Sequence, residues 1–537
     1  MQLKTIILNG ISLLLWGMLI PSLNAQIYSD TTWERWFFGP PHYETTTGVK
    51  HVEYYDKGYL LGTSFGEDWG EYAKLIKTDI NGYYLWDRTF DTLVFNRVRG
   101  ISVSDEGSIY CVGFFELNGI SNPWVFKLNA CGEMLWCRIF EWDNVCYGKN
   151  IEIDKNGDIV VLTSYYGYLP SERINLIKLR PDGELIWKKD YATIEDHPYI
   201  WNSEANSLMI SESNDYYITG RAMWPTNNDP SQGSGWRPFF IKVNENGNEE
   251  WVLPFGIYHS IVGNADKTIQ INDTLFLGES SDWLPEPPTT VFVWYGPEGQ
   301  VYSHKSVHID LDGIYASYIH DPHLLEDNSL WGILLYSAFE NDLYSHFGYL
   351  HLDTAINVLN YKIDDRWSQG SSKRLIPTFN NKFVTVTAMN EEGSNVEDAY
   401  ITKRNIDYTY DTVYTNWPGH YDTLCPHAIE SGYLPYECEP TIVGMQEWSI
   451  KETNGALSLT IIPNPSKNKV KVGFENNNYK ELNLQIFNIN GEEVFNRQLH
   501  FYPQDTEIDI SNLAKGVYLV SLRNEGILVG RSKLVVE

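Results

Sequence analysis

Apolar and polar residues alternate over short stretches along most of this chain, and the stretches return in the same order about every fifty residues. One recurring unit is Ile76-Lys77…Asn81-Gly82…Trp86. It comes back as Phe126-Lys127…Gly132…Trp136, Ile177-Lys178…Asp182-Gly183…Trp187 and Ile241-Lys242…Asn246-Gly247…Trp251. Each copy reads as a strand, a tight turn and a second strand opening on Trp, which is a hairpin. A second unit precedes it: apolar strand, polar turn, apolar strand, as in Ile101–Val103…Gly107…Tyr110–Gly113 and Ile151–Ile153…Gly157…Val160–Leu162. That unit occurs seven times, from Val52…Leu61 to the degraded copies Leu324…Ile333 and Leu375…Val386. Two hairpins make a four-stranded propeller blade.

The pattern therefore predicts an all-β chain: a seven-bladed β-propeller followed by a small C-terminal β-sandwich. The seventh copy has a third strand at Tyr400–Lys403 but no Trp strand after it, while Trp33–Gly39 near the N-terminus has that spacing and no repeat of its own. The expectation is that strand 33–39 completes blade seven and closes the ring, which protects edges that would otherwise recruit other chains.

Composition adds an address. The chain has 537 residues, 14% aromatic, with a formal charge of −30, which argues against nonspecific nucleic-acid binding. Lys4, the apolar run Ile6–Ile20 and Leu23-Asn24-Ala25 read as a signal peptide over 1–25. No later stretch is long and apolar enough to suggest a transmembrane segment. The expected layout is signal peptide 1–25, propeller 26–445, linker 446–455 and tail 456–537, with Glu439–Gly444 read as connecting chain. Of six cysteines, Cys425 and Cys438 stand alone late in the chain and are expected to pair. The connectivity of Cys111, Cys131, Cys137 and Cys146 stays open.

In the tail, Ile462-Pro463-Asn464-Pro465-Ser466, Ile486–Gly491, Ile510–Leu513 with Gly516-Val517-Tyr518-Leu519-Val520, and Lys533–Val536 follow one another. Their order resembles the type IX secretion C-terminal sorting domains (type A-like) over essentially all of 456–537. The motif positions are Pro463, Asn464, Pro465, Gly491, Gly516, Tyr518 and Lys533. The resemblance implies the type IX machinery as a partner and a secreted or outer-membrane-attached protein, reached by Sec and then type IX export. The repeats also resemble those of exported propellers that precede such tails.

Candidate chemistry comes from comparing inner strands. Two residues before the first apolar position stand Lys50, Arg99, Lys149, Asn206, Lys267, Asp321 and Lys373. Five are basic, so Lys50, Arg99, Lys149, Lys267 and Lys373 are the candidate ligand-binding set, a cationic rim for an anionic glycan or protein ligand. The competing reading is that each pairs with an acid of the next blade. Lys77, Lys127, Lys178, Lys242 and Lys403 on the third strands read as structural, as do the Trp positions. His308–His323 is the densest His/Asp group and reads as solvated loop, and Asp154–Asp158 as a hairpin turn. No nucleophile elbow, zinc-protease helix motif or phosphate-binding loop is present, so no catalytic residue, cofactor or metal is assigned. The expected role is noncatalytic binding of an extracellular glycan or protein. The alternatives are a polysaccharide-processing enzyme, favoured by acidic residues of raised pKa in the channel mouth, and a surface scaffold or adhesin.

Overall fold

The structure is a computed structural model. Between residues 34 and 256 it describes 34–37, 50–53, 56–65, 72–90, 95–117, 119–141, 145–165, 174–192, 197, 200, 202–225 and 234–256. Beyond them it describes 263–282, 289–307, 309, 316–337, 346–367, 374–390, 397–416, 424–425, 432–433, 438–442, 459–474, 481–488, 493–500, 506–524 and 527–536. Two compact units result, divided after Gly444. The segments 1–25 and 446–455 lie outside the described residues.

Seven antiparallel sheets of four strands make up the first unit, each running from an inner to an outer strand in chain order, except the last. The inner strands of blades one to seven are Lys50–Glu53, Asn96–Val103, Cys146–Ile153, Ser203–Ile210, Gly263–Asn272, Ala316–Leu324 and Arg374–Pro377. Each touches the next, and the seventh touches the first, so they enclose a central channel. In blade seven the outermost strand is Glu34–Phe37, paired antiparallel with Glu397–Arg404, so both ends of the ring share one sheet.

The repeated turn and its Trp have a mechanical reason. Gly132, Gly183, Gly247 and Gly299 all adopt positive φ, which glycine takes without steric cost. Each also lies under the Trp of the preceding blade: Trp86, Trp136, Trp187 and Trp251 respectively. The indole nitrogens of Trp136 and Trp251 donate to the carbonyls of Pro181 and Pro297 in those same turns, at 3.0 and 2.9 Å. Arg88 adds bonds to the carbonyls of Gly132 and Cys131 at 2.9 and 3.0 Å. The repeat Trp is thus the clasp between blades.

The third-strand lysines are structural as well. Lys77 is fully buried and pairs with Asp56 at 2.8 Å; Lys178 pairs with Asp154 at 2.7 Å and Lys242 with Glu250 at 2.7 Å. Lys127 and Lys403 reach the carbonyls of Pro181 and Ile80. Asp154 also caps its own turn, accepting from the amides of Asn156 and Asp158 at 2.9 Å.

After the last blade the chain doubles back over the ring. Asn81 exchanges two hydrogen bonds with the backbone of Thr415. Gly432–Tyr433 adds a short parallel strand to the outer edge of blade one, and Glu439–Ile442 another to blade two. The reading of 439–444 as connecting chain is corrected here, since 439–442 is paired sheet. The pairing of Cys425 with Cys438 is corrected too. Cys425 bonds to Cys131 and Cys438 to Cys137, with Cα separations of 5.2 and 4.9 Å. Closeness in sequence suggested a local loop, but the added strands lay each cysteine against blade two. Cys111 and Cys146 are buried free thiols.

The second unit is a sandwich. A sheet of Leu459–Ile462, Lys469–Phe474 and Thr506–Asp509 faces one of Glu493–His500, Glu481–Phe487, Gly516–Asn524 and Ile527–Val536. Val470, Val472, Leu484, Ile486, Val520, Leu522 and Leu534 form its core.

Candidate functional site

Five inner strands carry an irregularity at the same level. Pairing with the second strand skips Arg99 in blade two, Lys149 in blade three, Asn206 in blade four and Asp266 in blade five. In blade six it skips Asp321-Pro322. A β-bulge takes a residue out of the ladder and re-aims its side chain. Here Arg99, Lys149, Asn206, Asp266 and Asp321 all line one cavity of about 400 Å³ in the channel. Asp321 also holds φ at +54°, a strained value for a residue other than glycine.

Of the basic set expected from sequence, Arg99, Lys149 and Lys267 meet at this cavity. Lys50 opens the inner strand of blade one, and Lys373 lies outside the described residues, beside Arg374, which does line the cavity. The equivalent position in blade five is Asp266, one residue before Lys267. In the register Thr268 takes the place of Ile101, Ile151 and Leu208, so the first apolar residue of that strand falls one position late.

The rim is mixed in charge, since Glu152, Asp266, Glu279 and Asp321 line the cavity with the basic residues. Lys149 pairs with Glu204 at 2.9 Å, and Arg221 grips the same carboxylate at 2.8 Å. Burial alone would raise Glu204, but Lys149 and Arg221 hold it below its ordinary value. Lys267 binds Asp321 at 2.8 Å and approaches His323 at 3.0 Å. Against the same effect of burial, Lys267 and His323 keep the Asp321 carboxyl well below the usual range. Arg374 meets His320 at 3.0 Å, and the Arg99 guanidinium lies 4.6 Å from the ring centre of Tyr147. His320, Asp321 and His323 belong to the inner strand of blade six and are largely buried, which corrects their reading as solvated loop.

Two carboxyls behave differently. Asp266 accepts from Tyr318 and from the Asn264 amide at 2.7 Å, and burial pushes its pKa up to about 6. Glu279, on the second strand of blade five, is fully buried, and neither of its oxygens has a hydrogen-bond partner among the described residues. Burial, reinforced by Asp266, lifts its pKa well above the ordinary carboxyl value. His320 Nδ1 is 4.0 Å away. Sequence reasoning assigned no role to Asp266 or Glu279. The signal that marks Glu279 is its place in the repeat, an acid where the second strands of blades two to four carry Val112, Leu162 and Thr219.

In the tail, the Asn464 side chain donates to the carbonyl of Lys533 at 2.5 Å and accepts from the amide of Val535 at 2.8 Å. The Pro463-Asn464-Pro465 turn is thereby stitched to the last strand. Tyr518 donates to the carbonyl of Ala514 at 2.6 Å, and Gly516 opens the strand of Tyr518. Gly491 lies outside the described residues.

Fold and tail together define an exported seven-bladed β-propeller. Residues 460–537 match the family described as secretion system C-terminal sorting domain. That domain directs type IX export, to the cell surface or the medium. No curated protein matches the sequence. Among solved structures, the chain is similar to an α-L-arabinofuranosidase of Fusarium graminearum, at 10% identity, 70% of this chain, 98% of that one and a TM-score of 0.39. An α-L-arabinanase of Penicillium chrysogenum shows 11% identity over 70% and 98% of the two chains, TM-score 0.37. Drosophila Semaphorin 2a shows 8% over 94% and 99%, TM-score 0.38.

Proposed function

We propose that the propeller binds an extracellular glycan in the mouth of its central channel. The supporting observation is the set of bulged polar residues from five neighbouring blades around one cavity. Asn206, Asp266 and Asp321, with Lys149 and Lys267, offer donors and acceptors at close quarters, the chemistry that a ring of sugar hydroxyls demands. Because Lys149 and Lys267 are engaged by carboxylates, the site suits a neutral or mixed-charge glycan better than a polyanion.

The test is a binding screen of the purified full chain against neutral and acidic polysaccharides at low and high salt. Binding to a neutral member that persists at high salt and falls about tenfold or more in Asn206→Ala supports the reading. Binding confined to acidic members and lost with salt would return the anion-binding rim, and binding to none would remove the glycan altogether.

A second reading, glycan cleavage, is favoured by the two carboxyls of raised pKa, Asp266 and Glu279, in that same cavity. New reducing ends appearing in the bound polysaccharide, and absent with Asp266→Asn, would establish it.

A further inference from the structure

The repeat supplies an internal control for Glu279. In the sheet register Glu279 stands opposite Lys267, the residue after the bulge. The matching residues of blades two, three and four are Val112, Leu162 and Thr219, all buried. The fold therefore asks for an apolar or small side chain at this level. Blade five places there a carboxyl whose two oxygens find no partner among the described residues.

A buried polar group without a hydrogen bond destabilises the folded state, and an element that breaks a local rule so plainly marks function more often than packing. Glu279 forms part of the cavity wall although its side chain has no exposed surface. Contact with a ligand therefore requires the Glu279 side chain to turn toward the cavity that it already borders.

We propose that Glu279 is the inner contact of the channel site, a carboxyl that takes the hydroxyl groups of a neutral sugar at a cost to the stability of the propeller. This inference rests on the glycan reading above and sharpens it to an uncharged ligand. An uncharged carboxyl both donates and accepts, which matches a sugar hydroxyl, and it offers an anionic sugar no countercharge. The raised pKa of Glu279 is in keeping with that form.

The experiment compares wild type, Glu279→Leu and Glu279→Gln as full chains. Leucine restores the residue of blade three; glutamine keeps a donor and an acceptor. Thermal unfolding is followed together with calorimetric binding of neutral arabino-, galacto-, xylo- and manno-oligosaccharides and of an oligogalacturonate. The expected result is that Glu279→Leu melts about 2 °C or more above wild type and loses neutral-oligosaccharide binding about tenfold or more. Glu279→Gln should stay within about threefold of wild-type binding. If Glu279→Leu and Glu279→Gln both melt below wild type, the carboxyl is structural, held by buried water, and the proposal is overturned. Unchanged binding by a stable Glu279→Leu overturns it as well, as does a wild type that binds only the oligogalacturonate. A wild type that binds none of the probes overturns the glycan reading itself, whatever the melting order.

Discussion

Trp136 lies so close over Gly183, the turn glycine of the following blade, that a methyl group there would sit 3.0 Å from its ring. Gly183 and Gly157 have almost the same backbone, φ +85° and +82°, but a methyl on Gly157 would meet nothing within 4 Å among the described residues. The two glycines of blade three thus separate backbone strain from blade packing. Gly157→Ala should cost about 1–2 kcal/mol, the price of left-handed backbone alone. Gly183→Ala should cost roughly twice as much in urea unfolding, because Trp136 must move as well. Equal costs would mean that the Trp clasp adds nothing to stability.

Lys77 and Lys155 make a second matched pair. Lys77 is sealed in blade one against Asp56 at 2.8 Å, while Lys155 and Glu212, 2.9 Å apart, both stand largely in solvent. Lys77→Met should destabilise by about 3–5 kcal/mol, since it strands a buried carboxylate. Lys155→Met should change stability by less than about 1 kcal/mol. Chemical denaturation of both variants checks the contrast.

The disulfides can be read directly. Nonreducing peptide mapping should return Cys131 linked to Cys425 and Cys137 linked to Cys438, with Cys111 and Cys146 labelled only after unfolding. Each bridge spans about three hundred residues. Replacing Cys137 and Cys438 together by Ala should therefore cost about 2–5 kcal/mol. A peptide joining Cys425 to Cys438 would contradict the path of the strands over blades one and two.

The channel carboxyls predict a pH dependence of unusual sign. Asp266 and Glu279 have folded-state pKa values above their ordinary 3.8 and 4.5, so the folded chain holds protons that the unfolded chain releases. Their contribution is full below those ordinary values and is lost as pH rises, for Asp266 by about 6. Asp321 has the opposite sign, and Lys267, His320, Arg374 and Tyr318 surround the group. The difference between wild type and Glu279→Gln isolates one residue. Glu279→Gln should be the more stable protein near pH 8, and its advantage should shrink toward about pH 5. A difference that does not vary with pH would place an ordinary carboxyl there.

The blades were legible because their signals are local and repeated. Alternation marks the strands, Gly at positive φ marks the turns, and Trp marks the clasp. The tail was legible because Asn464 and Tyr518 each carry a side-chain bond to the backbone that other residues would not make. What escaped depends on register and on partners far off in the chain. The bulges cannot be seen in a list of residues, so Lys267 stood where Asp266 belongs. Glu279 sits in the ordinary strand Leu275–Asp282 and draws notice only when its sister residues Val112, Leu162 and Thr219 are placed beside it. The cysteines near the end misled because proximity in sequence stood in for proximity in space.

Blade seven sets an order of events for a chain that crosses a membrane from its N-terminus. Glu34–Phe37 emerges early, yet its hydrogen-bonding partner, Glu397–Arg404, emerges only after six other blades. Until then the first strand has nothing to hold, and the growing ring carries a raw edge at each end. The first strand of the ring is seated only with its seventh blade. A truncation that stops short of Arg404 would release a protein with nearly all its blades and no way to shut.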